Sequence, residues 1–226
     1  MSFSERTQSL IGQKNIEILS HKKVIVFGCG GVGGYVVEML ARTGIGELTI
    51  VDFDIVSESN INRQIIADYS TIGQRKVDCF AKRIGLINPN CKVNTFAKKV
   101  TPENVEEFAL PQYDFVVDCI DDVNGKVALI KFCKSNNIQI VSSMGAGNRF
   151  DIPNFVISDI SKTQNDRLAR AVRQRLKKEN ILHTKVVYTK SVPKIQKIIG
   201  SIAYYPACCG IVMASYIINC LIQPID

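Results

Sequence analysis

The stretch Val24–Gly34 constrains the fold more than any other. Val24-Ile25-Val26-Phe27 is a run of apolar, strand-forming residues that enters glycines at GxGxxG spacing: Gly28, Gly30 and Gly33, with Gly31 between them. An amphipathic run, Val32 to Arg42, follows directly. This order predicts a buried parallel strand, a tight turn and a helix. Such a turn suits phosphate. Glycines let backbone N–H groups approach an anion, and the helix N-terminus adds partial positive charge. The motif serves dinucleotides and ATP alike, so it indicates a ligand class and not a chemistry.

The rest of the first half alternates strand-like and helix-like segments. Strands are expected at Glu47–Asp52, Val93–Ala97, Phe115–Cys119 and Ile138–Ser143. Helices are expected at Arg6–Ser20 with a break at Gly12, at Gly73–Ile87, after Thr101-Pro102-Glu103, and at Gly125–Ser135. Strands alternating with helices predict an α/β, Rossmann-like fold: a mainly parallel sheet flanked by helices. After Gly147 the pattern changes to an elaborated C-terminal part. There strands are expected at Phe155–Asp159 and Lys185–Thr189, a helix at Asp166–Asn180 and an apolar helix at Cys209–Ile222. At 226 residues the chain can bury one good core.

Ligands of open parallel sheets bind beyond the carboxyl ends of the strands. Asp52, Asp54, Asp121 and Asp122 all follow predicted strand ends. Asp52 stands where a dinucleotide-binding protein places its ribose acid, so a nicotinamide reading competes with ATP. The next residues favour ATP. A triphosphate needs fixed cations, for which Arg63 and Lys76 qualify, and a carboxylate-held magnesium, for which Asp121 qualifies. Asn60 reads either as a phosphate contact or as a turn stabiliser, and Asp122 as the cap of the next helix.

These motifs, taken in order, carry a resemblance. Gly28-x-Gly30-Gly31-Val32-Gly33, Asp52-x-Asp54-x-Val56, Ser59-Asn60-x-x-Arg63-Gln64, Gly73-x-x-Lys76 and Asp118-x-x-Asp121 resemble the adenylating fold of ubiquitin-activating enzymes. That superfamily includes the bacterial activators of molybdopterin and thiamine sulfur carriers. The resemblance implies that the glycine loop, Asp52 and Asp54 hold ATP. It implies that Asn60, Arg63 and Lys76 contact phosphates and that Asp121 serves magnesium. Arg63, Lys76 and Asp121 are then the catalytic set. It also implies a homodimer in which Arg6 reaches the partner's ATP, and a sulfur-relay protein as a further partner. On this view residues 1–226 form one adenylating domain, with an ATP-binding core over 1–147 and a substrate-binding and dimerisation elaboration over 148–226.

The second half narrows the resemblance. Asp159-Ile160-Ser161-Lys162-Thr163, Asp166-x-Leu168, Val186-Val187-Tyr188, Pro206-Ala207-x-x-Gly210 and the earlier Ala41–Gly46 run are similar to the tRNA threonylcarbamoyladenosine dehydratase branch. The resemblance implies ATP-dependent activation of the threonylcarbamoyl carboxylate on a tRNA adenosine, followed by ring closure. The alternative is an activator of a ubiquitin-like sulfur-carrier protein. Charge supports an RNA partner independently. Of the net charge of +7, the segment from Lys162 to Lys197 holds 11 Lys/Arg against Asp166 and Glu179, leaving 17 basic against 19 acidic residues elsewhere. One-sided charge suits a polyanion. On the 166–180 helix, Leu168, Val172 and Leu176 form the apolar stripe, and Arg170, Arg173 and Lys177 are expected to face tRNA.

The eight cysteines lie mostly in predicted strands and helices and read as buried free thiols of a reducing compartment. No CxxC pair is present to suggest a four-cysteine zinc site. The nearest approach to a membrane span, Ala207–Ile222, carries Asn219 and reads as a core or dimer helix. A cytoplasmic protein without a membrane anchor is expected.

Overall fold

The computed structural model describes residues 4–223. The polar N-terminal stretch forms two short helices, α1 (Glu5–Ile11) and α2 (Gln13–Ser20), broken at Gly12. Gly12 has a φ of 85°, a conformation that costs a glycine little. Then follow β1 (Lys23–Phe27), α3 (Gly33–Thr43), β2 (Glu47–Val51), α4 (Lys76–Ile87), β3 (Lys92–Phe96), β4 (Phe115–Asp118), α5 (Val123–Ser135) and β5 (Ile140–Ser143). The second half supplies β6 (Phe155–Asp159), α6 (Arg167–Lys178), β7 (Lys185–Thr189) and α7 (Tyr204–Ile222).

All seven strands join one sheet in the order β3-β2-β1-β4-β5-β7-β6. Every pair is parallel except β6 with β7, so the mainly parallel, Rossmann-like α/β expectation holds. Val24, Ile25, Val26 and Phe27 alternate between the two faces and are all fully buried, because helices cover both sides. Val24 and Val26 join one core with α3, α4 and α7 residues such as Leu40, Phe80 and Met213. Ile25 and Phe27 join the other with α5 and α6 residues such as Leu129 and Val172. Burial of each large apolar side chain stabilises by roughly 1.5–3 kcal/mol.

Several boundaries differ from the sequence reading. The helix expected from Gly73 begins at Lys76, since Gly73 has a φ of 83° and Arg75 is extended. After Thr101 there is no α-helix, only 3-10 turns at Val105–Phe108 and Leu110–Gln112. The last helix begins at Tyr204 rather than Cys209, with Pro206 in its first turn, where a missing N–H is harmless. Gly210 explains how α7 packs so closely on α3. A Cβ there would lie 2.4 Å from the Val32 carbonyl oxygen. Among the described residues α7 is the one helix long and apolar enough to cross a membrane, and half of it is buried in the core.

β1 lies between β2 and β4, so chain connections leave it in both directions. The sheet therefore opens a crevice at the carboxyl ends of β1 and β4, beside the glycine turn.

Candidate nucleotide-binding site

Two glycines of the turn are fixed by sterics. Gly28 has a φ of 82°, and a Cβ on it would meet the Cys119 carbonyl oxygen at 2.9 Å. A Cβ on Gly33 would fall 1.8 Å from the Gly28 carbonyl oxygen. Gly31 is close to other chain segments too, with Pro206 and the Arg63 stem 3.2–3.4 Å from a Cβ position. Gly30 faces more open space. Among the described residues, the amides of Gly30, Gly31 and Val32 have no hydrogen-bond acceptor. They stand at the N-terminus of α3, the arrangement that binds phosphate.

Asp52 locks this turn from the end of β2. Its Oδ2 accepts from Cys29 N at 2.6 Å and its Oδ1 from Asp54 N at 2.9 Å. Asp54 then engages Lys76: Lys76 Nζ donates to Asp54 Oδ2 at 2.7 Å, and Lys76 N to the Asp54 carbonyl at 3.1 Å. The two residues the sequence assigned separately to nucleotide thus form one ion pair. Lys76 is buried and Asp54 is nearly half exposed.

The 57–64 turn carries the next cation. Ser57 and Asn60 form a reciprocal capping box, with Asn60 Oδ1 accepting from Ser57 N at 3.1 Å. This is the turn-stabilising role for Asn60, and its carbonyl oxygen is already occupied. Arg63 is half-buried, and its Nη1 donates to the Ser59 carbonyl and to Asn62 Oδ1, both at 2.8 Å. Across the crevice, β4 ends in Asp118, and Asp121 follows. Asp121 is exposed and makes no hydrogen bond or ion pair among the described residues. Asp122 caps α5, accepting from Gly125 N at 2.8 Å. No cluster of three or more His, Cys, Asp or Glu occurs among the described residues. One free carboxylate beside a phosphate site fits magnesium, which shares its coordination with phosphate oxygens and water.

Sequence reasoning missed the support beneath this edge. Lys126 of α5 and Asp118 are both fully buried and 2.8 Å apart. Lys126 Nζ also donates to the Ser143 carbonyl at 2.9 Å, and Asp118 Oδ1 accepts from Ile120 N at 3.2 Å. The pair ties the ends of β4 and β5 together below Asp121. The available signal was a lysine one turn after the Asp122 cap, just before the apolar run Val127–Ile130. Arg149 is a second omission. Buried, it donates to the carbonyls of Gly145, Asn165 and Ser191 and gathers the loops beyond β5 and β7.

Five of the eight thiols are buried. All eight cysteines are unpaired. Burial, with nearby Asp52, raises the pKa of Cys29, and burial with Asp118 raises that of Cys119. Cys133 is pushed up to about 12, again chiefly by burial.

On α6, Asp166 caps the helix through Ala169 N at 2.8 Å and also accepts from Gly145 N at 2.9 Å. Arg170 and Lys177 are exposed and free of partners among the described residues. Arg173 corrects the expectation. Its Nη1 turns inward to the carbonyls of Ile160 and Thr163, each at 3.2 Å, and to the Thr163 hydroxyl. The guanidinium thereby braces the 3-10 turn, whose Ile160 carbonyl also accepts from Thr163 N and from the Thr163 hydroxyl. The buried stripe is Ala169, Val172 and Leu176, with Leu168 only partly covered. Arg6 is exposed on α1, a helix with no buried residue, and has no partner within the described residues.

The ThiF family model matches residues 3–225. The tRNA threonylcarbamoyladenosine dehydratase of Bacillus subtilis is 36% identical over 98% of this chain and 95% of its own length. The Escherichia coli enzyme of the same name is 41% identical over 76% of this chain and 65% of its own. The crystal structure of E. coli tRNA N6-threonylcarbamoyladenosine dehydratase in complex with ATP superposes with a TM-score of 0.91 at 35% identity, covering 96% of this chain and 92% of that one.

Proposed function

This chain belongs to the ThiF family, and from that premise we propose that it is a tRNA threonylcarbamoyladenosine dehydratase. It uses ATP to adenylate the carboxylate of threonylcarbamoyladenosine in tRNA and promotes closure to the cyclic form. The observation that carries this reading is the near full-length match to the B. subtilis dehydratase. The E. coli neighbour in complex with ATP has the same overall fold and supports nucleotide binding by this chain.

The residues suit the reaction. The free amides of Gly30, Gly31 and Val32 and the α3 N-terminus accept phosphate charge. Lys76 and Arg63 orient the triphosphate for in-line attack by a carboxylate oxygen at the α-phosphorus, and offset charge as pyrophosphate departs. Asp121 would hold magnesium, which supplies Lewis-acid neutralisation of the phosphates. The acyl-adenylate then reacts intramolecularly, AMP leaves, and the nucleoside has lost one water. That closure needs no enzyme nucleophile, and the two thiols nearest the glycine turn, Cys29 and Cys119, have pKa values raised by burial.

We further read the protein as a cytoplasmic homodimer. The support is an α1 helix that buries nothing, exposes Leu10 at 84% and leaves Arg6 without a partner among the described residues. Arg6 completes the partner's ATP site in this reading. Residues 1–147 then serve ATP and 148–226 serve tRNA and the dimer contact. A sulfur-relay protein remains a proposed partner. The deciding experiment is mass spectrometry of tRNA nucleosides after incubation with the protein and Mg-ATP. Threonylcarbamoyladenosine lighter by one water, with matching AMP release, is expected. AMP formation that responds to a ubiquitin-like carrier protein, with unchanged tRNA, would replace the reading by the carrier activator.

A further inference from the structure

Gln64 closes the Ser59-Asn60-x-x-Arg63-Gln64 motif and has so far been given no task. Its backbone is well used: its N–H donates to the Asn60 carbonyl at 2.9 Å, and its carbonyl accepts from Ala67 N at 3.0 Å. Its side chain is different. Only 6% of the residue is exposed, and Oε1 is fully enclosed without a hydrogen-bond donor. Nε2 likewise has no acceptor among the described residues. Nε2 lies 3.7 Å from where a Cβ on Gly30 would be, and beyond the chain neighbours of Gly30 no other heavy atom lies within 4 Å of that point. The amide is therefore the side wall of the open space over the glycine turn.

The enclosed oxygen fixes the amide in place, and Nε2, which is not enclosed, faces the open space over Gly30 as a preset donor for a ligand acceptor. The ligand expected over Gly30 is an anion that only accepts. Because the enclosed oxygen gains nothing from any protein donor, an anion selects the orientation with the NH2 group toward the turn. We propose that Gln64 donates an Nε2–H hydrogen bond to a phosphate oxygen of the nucleotide on the glycine turn. The proposal rests on the ATP reading above. It makes Gln64 a third side chain, with Arg63 and Lys76, that distinguishes the phosphorylated ligand from adenosine.

The test is calorimetry of Mg-ATP and of adenosine with the wild-type protein and Gln64→Met. The thioether has similar volume and cannot donate. An unchanged or raised unfolding temperature is expected, because an unpaired buried amide is replaced by an apolar group. Mg-ATP should bind about tenfold more weakly, the loss of one hydrogen bond to a charged group, with adenosine unaffected. Mg-ATP affinity within twofold of wild type, or equal losses for both ligands, overturns the proposal. If Gln64→Met does not fold, Gln64→Glu keeps the shape and sets a carboxylate against phosphate. It should lose at least as much Mg-ATP affinity, and wild-type affinity overturns the proposal again. A wild-type protein that does not bind Mg-ATP overturns the nucleotide reading itself, a result distinct from variants that match a binding wild type.

Discussion

Lys76 Nζ lies 2.7 Å from Asp54 Oδ2, with the lysine buried and the aspartate nearly half exposed. The cation is desolvated in advance, and its counter-charge faces the water from which a phosphate arrives. Its backbone bond to the Asp54 carbonyl holds the start of α4 whatever the side chain does. Lys76→Met is therefore expected to leave the unfolding temperature nearly unchanged. AMP formation should fall about a hundredfold, roughly 3 kcal/mol of lost charge stabilisation. Pyrophosphate exchange measured beside thermal denaturation checks both parts, and near-normal exchange would return Lys76 to a structural role.

Arg63 is half-buried and Asp121 exposed, and neither belongs to a core cluster. Arg63→Ala and Asp121→Ala should each reduce AMP formation about a hundredfold with an intact fold. Asp121→Ala should also raise the magnesium concentration needed for half-maximal rate, while Arg63→Ala should not. A shared magnesium response would separate Asp121 from the metal.

The sheet and most helices were legible because each depends on local pattern. Val24–Phe27 can be apolar throughout only if helices cover both faces, and Gly28 with Gly33 permit a turn no other residue fits. Pairings distant in sequence were not legible. Nothing near Arg173 announces that the carbonyls of Ile160 and Thr163 will accept from it, and the amphipathic period alone placed it outward. Asn60 and Asp54 are short polar residues whose type serves turns and ligands equally, so only their partners separate the roles. Lys126 pairs with Asp118 only because the fold brings the end of β4 to it.

Glu38 links α3 to α4 through Arg83, at 2.6 and 2.9 Å, and accepts from Arg42 at 2.7 Å. Burial raises its carboxyl pKa, but the hydrogen bonds and charges of Arg83 and Arg42 outweigh that and hold it below the ordinary value. Its stabilising contribution is thus present above the unfolded carboxylate pKa and is lost as pH falls through the lower folded value. Glu38→Gln should lower the unfolding temperature at pH 7 and narrow its gap to wild type on acidification. Thermal denaturation from pH 7 to pH 3 measures this, and a gap independent of pH would refute it.

The Asp118–Lys126 pair is fully buried, so removing one partner strands a charge. Lys126→Met should cost about 3–5 kcal/mol, on the order of 10 °C in unfolding temperature for a chain of this size. Asp118→Asn combined with Lys126→Met should recover part of that loss, because the stranded carboxylate is gone. Equal unfolding temperatures for the single and double variants would show that packing, not charge, dominates.

The basic segment separates two kinds of arginine. Arg170 and Lys177 are exposed and unpaired among the described residues, whereas Arg173 is spent on the 160–163 turn. Each phosphate neutralised by an exposed cation releases condensed counterion, so tRNA affinity should fall steeply with salt. Replacing Arg170 and Lys177 together by Gln should flatten the log–log salt slope by about one per residue and leave ATP affinity unchanged. Arg173→Gln should do the reverse, lowering the unfolding temperature while keeping the slope. Affinities for tRNA at several salt concentrations, with ATP calorimetry and thermal denaturation as controls, distinguish these outcomes. A slope that falls for Arg173→Gln and not for the double variant would put the RNA against the 160–163 turn instead of the outer face of α6.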